Sequence, residues 1–316
     1  MKKKLIQIFI IALSFLTIYC ENVKLQEIIM GPDSWTIYRL NPQRTGAIDS
    51  IIIPKGELCW KVQYTNNSCG TPILVNGVVY YQDSNSIVYA RNANNGDLIW
   101  SIQLEEKHIR VCSPTLEDGI LYISNGLNEL FAIKADTGEI IWKHQFDGDN
   151  MSGTPVLYND KIFYAPEMSG YIYALDKKAG TVLWKTRLGM QEYAPEASLI
   201  AFNNKVYYSY SPVYDLNESG DGYIGAIDIE TGNKVWENNY DGAIFNISFT
   251  EPYIYTFEDF LNEEDKLLAI NPSNGLTVHS FKINESPWLI SIYSDVGYGA
   301  VSRDIISVKL VNGKVL

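Results

Sequence analysis

The sequence has few of the side chains on which most catalytic and metal sites depend. Among 316 residues there are three histidines and four cysteines. His108, His144 and His279 lie far apart, and neither a His-x-x-x-His nor a Cys-x-x-Cys spacing occurs. A phosphate-binding glycine loop and a nucleophile elbow are also absent. The common zinc, nucleotide-binding and serine-hydrolase motifs are therefore excluded.

Positive charge and helical periodicity are also scarce. The chain has 25 Lys and Arg against 37 Asp and Glu, a formal net charge of -12. Nucleic-acid-binding surfaces are rich in Lys and Arg, so we expect no nucleic-acid partner. No long stretch repeats its apolar residues at the helical period, whereas aromatic residues, which pack well on pleated sheets, make up 13% of the chain. The composition favours an all-β protein.

The sequence has a single long apolar run, at its N-terminus. Three lysines precede the run from Leu5 to Tyr19, which is short for a membrane span and typical of a secretory signal. Cys20 follows directly, as in the lipobox of bacterial lipoproteins, in which that cysteine is acylated. Tyr19 stands where a small residue is usual, so an uncleaved anchor or an ordinary signal peptide stays an alternative.

This reading divides the chain into three parts. Residues 1–19 are expected to be a signal peptide, and residues 20–34 a tether after the lipidated Cys20. Residues 35–316 are expected to form one domain. The protein would then be exported and anchored to a membrane of the cell envelope, periplasmic or outer, by its N-terminal lipid.

Export makes a disulfide permissible among the three cysteines that remain. Cys59, Cys69 and Cys112 are an odd number, so at least one is unpaired within the chain. Cys69 and Cys112 occupy equivalent positions in neighbouring repeats, and Cys59–Cys69 is the competing pair. The sequence leaves the pairing open.

A repeated turn of the form Gly-x-x-x-Trp organises the rest of the chain. Its tryptophans recur every 40 to 52 residues. They are Trp60, Trp100, Trp142, Trp184 and Trp236, and at the sixth turn, Gly275–His279, histidine takes the place of tryptophan. We predict that each ring fills the gap between adjacent repeats and that its N–H finds one partner there.

Each repeat contains four short strands, which we call A to D. In the third repeat we predict strand A at 154–158, B at 161–165, C at 170–176 and D at 181–185, because β-branched and aromatic runs are separated there by Gly, Asn or Asp. A four-stranded unit cannot bury both of its faces alone, whereas units stacked around an axis can. The sequence therefore predicts a β-propeller of four-stranded antiparallel blades.

The two chain ends suggest how the ring closes. The sixth unit supplies strands A to C and then stops, while residues 56–64 form a D strand with no A to C before it. We predict that this N-terminal strand completes the last blade, which gives six blades. Seven is the alternative, if residues 33–54 supply the missing strands.

The repeats resemble a known family. The segments Leu130–Trp142 and Tyr173–Trp184, together with Trp35 and Asn41–Gly46, are similar to the PQQ-like repeats of quinoprotein-type propellers. The resemblance covers about residues 35–316. It implies the fold, and it extends to outer-membrane assembly lipoproteins as well as to quinoprotein dehydrogenases, so the fold does not decide the function.

Alternation of strand direction puts the B–C and D–A connections on one side, which we call the loop face, and the short A–B and C–D turns on the other, the turn face. The longer connections are on the loop face, and they are acidic with a few aromatic residues, as is typical of binding loops on a rigid scaffold. We expect a protein partner to contact this face, through a set of nine residues: Glu105, Arg110, Asp149, Met190, Glu192, Tyr193, Tyr214, Phe260 and Glu264.

One loop resembles the first half of a calcium loop. Its alternating oxygen-bearing side chains are Asp215, Asn217, Ser219 and Asp221. Ala226 stands where an EF-hand has its bidentate Glu, so a plain polar loop is the default and bound Ca²⁺ the alternative. The family's dehydrogenases hold PQQ with Ca²⁺ and a disulfide between adjacent cysteines, which this sequence lacks, so we expect no cofactor.

The sequence therefore favours a non-catalytic, lipid-anchored scaffold of the cell envelope. A role in outer-membrane protein assembly is what the resemblance implies. A reduced PQQ- and Ca²⁺-dependent dehydrogenase and a surface-exposed lipoprotein that binds a ligand or a host component are the alternatives.

Overall fold

The computed structural model describes residues 58–63, 70–104, 112–146, 153–166, 169–188, 198–211, 222–260 and 264–283. It also describes the backbone of 290–293, 296–301, 304–311 and 314–315. Within these ranges the chain contains strands and turns but no helix, and hence none that could cross a membrane. The strands form six four-stranded antiparallel sheets.

The first three sheets follow the chain in order, and each is a simple up-and-down meander. Blade 1 contains β1 (Ile73–Val75), β2 (Val78–Gln82), β3 (Ile87–Asn92) and β4 (Leu98–Gln103). Blade 2 contains β5 (Thr115–Glu117), β6 (Ile120–Ser124), β7 (Glu129–Lys134) and β8 (Ile140–Gln145). Blade 3 contains β9 (Val156–Tyr158), β10 (Lys161–Tyr164), β11 (Tyr171–Asp176) and β12 (Val182–Arg187). In blade 3 every predicted strand is found, with its ends within two residues of the prediction.

The remaining sheets repeat the same order. Blade 4 contains β13 (Ser198–Phe202), β14 (Lys205–Tyr210), β15 (Gly222–Asp228) and β16 (Lys234–Tyr240). Blade 5 contains β17 (Ala243–Thr250), β18 (Tyr253–Asp259), β19 (Asp265–Ile270) and β20 (Thr277–Ile283). Blade 6 contains β21 (Ile290–Tyr293), β22 (Val296–Val301), β23 (Asp304–Val311) and β24 (Lys314–Val315).

The hydrophobic core lies between blades. Four apolar clusters each draw their side chains from two consecutive blades, from blades 1 and 2 through to blades 4 and 5. Phe163 of blade 3 and Tyr208 of blade 4, for example, are both fully buried in one cluster. Face-to-face stacking therefore buries the apolar face that a single blade would leave in water.

The five tryptophans fix neighbouring blades to one another. Each indole N–H donates to a backbone carbonyl in the C–D turn of the next blade, at nitrogen–oxygen distances of 2.8 to 3.3 Å. The pairs are Trp60 with Ala93, Trp100 with Ala135, Trp142 with Lys177, Trp184 with Ile229, and Trp236 with Pro272. The predicted role of these residues is confirmed.

The glycine of the repeated turn contacts the tryptophan of the preceding repeat. Gly180 has φ +68°, and a Cβ atom there would lie 2.5 Å from the Trp142 ring. The equivalent glycines of the other described turns have the same positive φ and the same close approach to an indole ring. The turn therefore needs glycine both for its backbone and for the space that the ring occupies.

Ion pairs across the turn face add to the blade contacts. Lys177 of blade 3 reaches Glu117 and Asp118 of blade 2, and Lys161 of blade 3 reaches Glu230 of blade 4 at 3.1 Å. Burial opposes the charged form of Lys177, but the two carboxylates outweigh it and raise its pKa. These described turns therefore hold neighbouring blades together.

The outer strands of blades 1 to 5 are irregular in the same place. Each has a register shift next to its tryptophan or, in blade 5, next to His279. Exposed apolar side chains such as Leu98, Ile99 and Leu183 lie at this point. A bulge bends a strand away from straight pairing, so it protects an outer edge that carries apolar side chains from joining another sheet.

The sixth blade differs from the prediction in one detail. The sixth unit was predicted to supply only strands A to C. It has a fourth strand, β24, whose two residues pair with Leu310 and Val311. Residues 58–63 are not assigned to a strand. Trp60 nevertheless contacts blade 1 as Trp100 contacts blade 2. Closure of a six-membered ring by the N-terminal segment stays a prediction.

Candidate protein-binding face

The described part of the loop face includes corners between strands B and C. In blade 1, one carboxylate oxygen of Asp83 accepts the backbone N–H groups of Asn85 and Ile87 at 2.9 and 3.1 Å. Its other oxygen accepts the Tyr89 hydroxyl at 3.1 Å. Burial, followed by this hydrogen bond, raises the pKa of Tyr89 to about 12. The corner is thus held by a carboxylate that is itself buried.

Blade 2 has the same corner with an amide in place of the carboxylate. Asn125 accepts the backbone N–H groups of Leu127 and Glu129 and donates to the Glu129 carboxylate at 2.7 Å. The Ser86 hydroxyl of blade 1 donates to the backbone carbonyl of Asn125 at 3.0 Å. The two corners are therefore linked directly, and this side of the loop face is a rigid platform.

Blade 5 presents the described residues of the predicted binding set. Phe260 is half-buried, and the Lys266 ammonium lies 4.2 Å from the centre of its ring, close enough for a cation–π interaction. Lys266 also reaches Glu258 at 3.5 Å. Glu264 is exposed and pairs with Lys282 at 2.5 Å. The structure thus brings Phe260 and Glu264 to one corner, whose carboxylates outnumber its lysines.

Two further aspartates belong to this corner. Asp265 is buried, and its carboxylate accepts the Phe260 backbone N–H at 3.0 Å. Burial raises the pKa of Asp259, as do the charge of Asp265 and a hydrogen bond between the two side chains. The corner therefore combines an aromatic ring, a covering cation and closely spaced acids.

The other seven residues of the predicted binding set lie outside the described residues. They are Glu105, Arg110, Asp149, Met190, Glu192, Tyr193 and Tyr214. The same holds for Cys20 and for the candidate calcium ligands Asp215, Asn217, Ser219 and Asp221. The binding set, the lipid site and the calcium loop stay predictions. Among the residues that the structure does describe, no group of three or more His, Cys, Asp or Glu side chains is arranged for a metal ion.

The cysteine pairing also stays open. Cys59 is exposed and Cys112 is buried, whereas Cys69 is outside the described ranges. Gly70, which follows Cys69, lies against the Cys112 carbonyl. A Cβ atom added to Gly70 would lie 2.1 Å from that carbonyl oxygen. The chain just before blade 1 therefore approaches the backbone of Cys112 directly.

Sequence reasoning missed the buried polar residues that shape the corners. Gln82, Asp83 and Asn125 are almost fully buried, although their residue types are usually exposed. A signal was available: the apolar B strands of blades 1, 2 and 5 end in two polar residues before the turn. Polar residues that end a buried strand are the ones expected to bond the corner that follows.

The stacked four-stranded sheets and the repeated tryptophan contacts define the chain as a β-propeller built from PQQ-like repeats. The model of the family described as outer membrane protein assembly factor BamB matches residues 31–117 and 88–315. The chain belongs to this family.

Solved structures agree on the fold. A europium-containing methanol dehydrogenase has a TM-score of 0.63 at 14% identity, over 82% of this chain and 60% of its own. The quinohemoprotein alcohol dehydrogenase from Comamonas testosteroni has a TM-score of 0.61 at 15% identity, over 84% and 52%. BamB from Moraxella catarrhalis has a TM-score of 0.47 at 14% identity, over 73% and 81%. A search of curated proteins finds no significant match. At these identities the two dehydrogenases show the fold alone.

Proposed function

We propose that this protein is a non-catalytic scaffold of the cell envelope, anchored by lipid on Cys20, whose loop face docks a protein partner. The observation that carries the proposal is the family match, which spans residues 31–315 and describes an outer-membrane assembly factor. The rigid corners of blades 1 and 2 and the Phe260 corner of blade 5 support it, because binding loops work best on a fixed scaffold. A part in outer-membrane protein assembly is the finer form of the same proposal.

Site-directed photo-cross-linking tests the docking face. A photoreactive residue at Glu264, on the loop face, is expected to give one dominant adduct in native envelopes. The same residue at Lys178, an exposed turn-face position, serves as the matched control and is expected to give none. Adducts of equal yield at both positions, or adducts at Lys178 alone, would contradict loop-face docking.

Once the adduct has identified a partner, charge reversal measures how much the acidic corner contributes. Glu264→Lys is expected to weaken binding about tenfold, because it replaces an acid of the exposed acidic rim by a cation and breaks the ion pair with Lys282. Asp136→Lys changes the charge equally on the turn face and is expected to leave binding unchanged. Surface plasmon resonance of the purified pair checks both, and equal losses would mean that only net charge matters.

The alternative function is a dehydrogenase, which the enzymes among the structural neighbours favour through their fold. Titration of the mature chain with PQQ and Ca²⁺ separates the two functions. A scaffold is expected to show no rise in Tm and no dye-linked alcohol oxidation. A saturable rise in Tm with both additives would indicate a cofactor site and overturn the non-catalytic proposal.

A further inference from the structure

Two acids face each other at the loop-face end of blade 5. Strands β18 and β19 pair with Ile254 opposite Ile270 and Glu258 opposite Lys266. One step further, this register puts Asp259, the last residue of β18, opposite Asp265, the first residue of β19. Acids that are directly opposite across an antiparallel pair destabilise it when both are ionised.

Equivalent positions elsewhere in the propeller avoid this conflict. At the loop-face end of blade 4, Tyr210 is opposite Tyr223, so no two acids meet there. At the loop-face end of blade 2, Asn125 is opposite Glu129, and its amide donates to the carboxylate. Two aspartates have no such donor unless one of them carries a proton.

The surroundings of the pair confine it. Asp265 is 9% exposed and already accepts the Phe260 N–H. On the other side, a Cβ atom on Gly242 would lie 2.7 Å from the Asp259 carbonyl oxygen, so the β16–β17 connection packs directly against this strand end. Asp265 is thus shielded from water and Asp259 is half-buried, and an environment of lowered polarity disfavours two adjacent charges.

Other charged groups face the same corner from each packed element. Glu258 of β18 accepts the Gly242 N–H at 3.3 Å and pairs with Lys266 of β19. Glu264, just before β19, pairs with Lys282 of β20. The β16–β17 connection adds Asp241, which is exposed. The described side chains of the corner therefore include five acids and two lysines.

We propose that Asp259 and Asp265 hold one proton between them and act as a pH-sensitive clasp, closed at low pH, at the loop-face end of blade 5. The protonated carboxyl of one aspartate donates to the carboxylate of the other. As the pH rises, the O–H bond breaks, the proton leaves to water, and two carboxylates repel across the strand pair. The clasp then loosens, and with it the Phe260 N–H bond to Asp265. This inference concerns the corner itself and does not depend on the proposed docking role.

The sign of the pH effect follows from linkage. The pKa of Asp259 is raised in the folded chain above its ordinary value of 3.8, so the folded state binds the proton more tightly than the unfolded state. The resulting stabilisation is fully present below about pH 3.8 and is lost as the pH rises through the folded-state pKa.

The test compares Tm from pH 4 to pH 8 for the mature chain and for Asp259→Asn. The N–H groups of the asparagine amide donate hydrogen bonds and do not titrate, so the variant is expected to melt about 2 °C or more above the wild type at pH 8. The difference is expected to shrink towards pH 4. Glu264→Gln, which removes one charge close to the pair, is the matched control and is expected to show no pH-dependent difference.

Hydrogen exchange of the Phe260 amide gives a second readout. Corrected for its intrinsic pH dependence, its exchange in the wild type is expected to speed up at high pH, and to stay level in Asp259→Asn. Asp265→Asn, which keeps the acceptor for Phe260, is expected to behave alike and covers a folding failure of the first variant. A wild type without this pH dependence, or a Glu264→Gln variant that reproduces the effect, would overturn the clasp.

Discussion

Gly180→Ala is expected to lower the free energy of unfolding by about 3 kcal/mol, through two separate effects. An alanine at φ +68° is strained by about 1–2 kcal/mol. Its methyl group would also overlap the Trp142 ring, which must move out of its seat between blades 2 and 3. Overpacking of this kind costs about 1–3 kcal/mol. Urea denaturation of the two proteins measures the sum.

Gly119→Ala isolates the part that belongs to the indole ring. Gly119 has φ +75°, close to that of Gly180, but nothing lies within 4 Å of its Cβ position. We expect this variant to lose only the backbone part, about 1–2 kcal/mol. If Gly180→Ala and Gly119→Ala were equally destabilised, overlap with the Trp142 ring would add nothing to the loss. The repeated turn would then need glycine for its backbone conformation alone.

Gln82→Met is expected to destabilise the chain by about 2–5 kcal/mol, although methionine has nearly the same volume. The Gln82 amide donates to the Ser124 carbonyl and accepts the Cys112 N–H, both at 3.0 Å, and thus joins blade 1 to blade 2 and to the segment that leads into it. The side chain is fully buried. Its loss leaves a backbone donor and acceptor without these bonds, at about 1–3 kcal/mol each.

Gln103→Met provides the comparison at an exposed site. Gln103 also donates to backbone carbonyls, those of Asn85 and Leu104, but it lies on an outer strand in contact with water. Water replaces such bonds, so the expected change is within about 0.5 kcal/mol. Thermal and urea denaturation measure both variants. If Gln82→Met and Gln103→Met lowered the free energy of unfolding equally, the Gln82 bridge would add no more than a surface contact.

Much of the architecture is predictable from the sequence, because it depends on local chemistry that is repeated. The strands of blade 3 are bounded by Asn159, Asp160 and Gly180, residues that adopt turn geometry, and these limits were correct within two residues. The tryptophan role was predictable for a similar reason, since a large ring with one donor at five equivalent positions needs a repeated seat.

The candidate site was less predictable. Phe260 and Glu264 were selected from loop position, and the structure places them at one corner of blade 5. The contact of the Lys266 ammonium with the Phe260 ring and the cross-strand pairing of Asp259 with Asp265 both depend on the register of β18 and β19. A shift of one residue would have separated these groups, and the sequence contains no local mark of that register.

The sequence alone thus determined the repeat, the strand order within a blade and the glycine turns, because each depends on neighbours along the chain. Only the tertiary structure decided which blade each tryptophan contacts, that Gln82 bridges two blades, and that β24 supplies the last described strand. These features depend on how separate blades approach one another, and residues that are 30 or more positions apart meet only when the sheets stack.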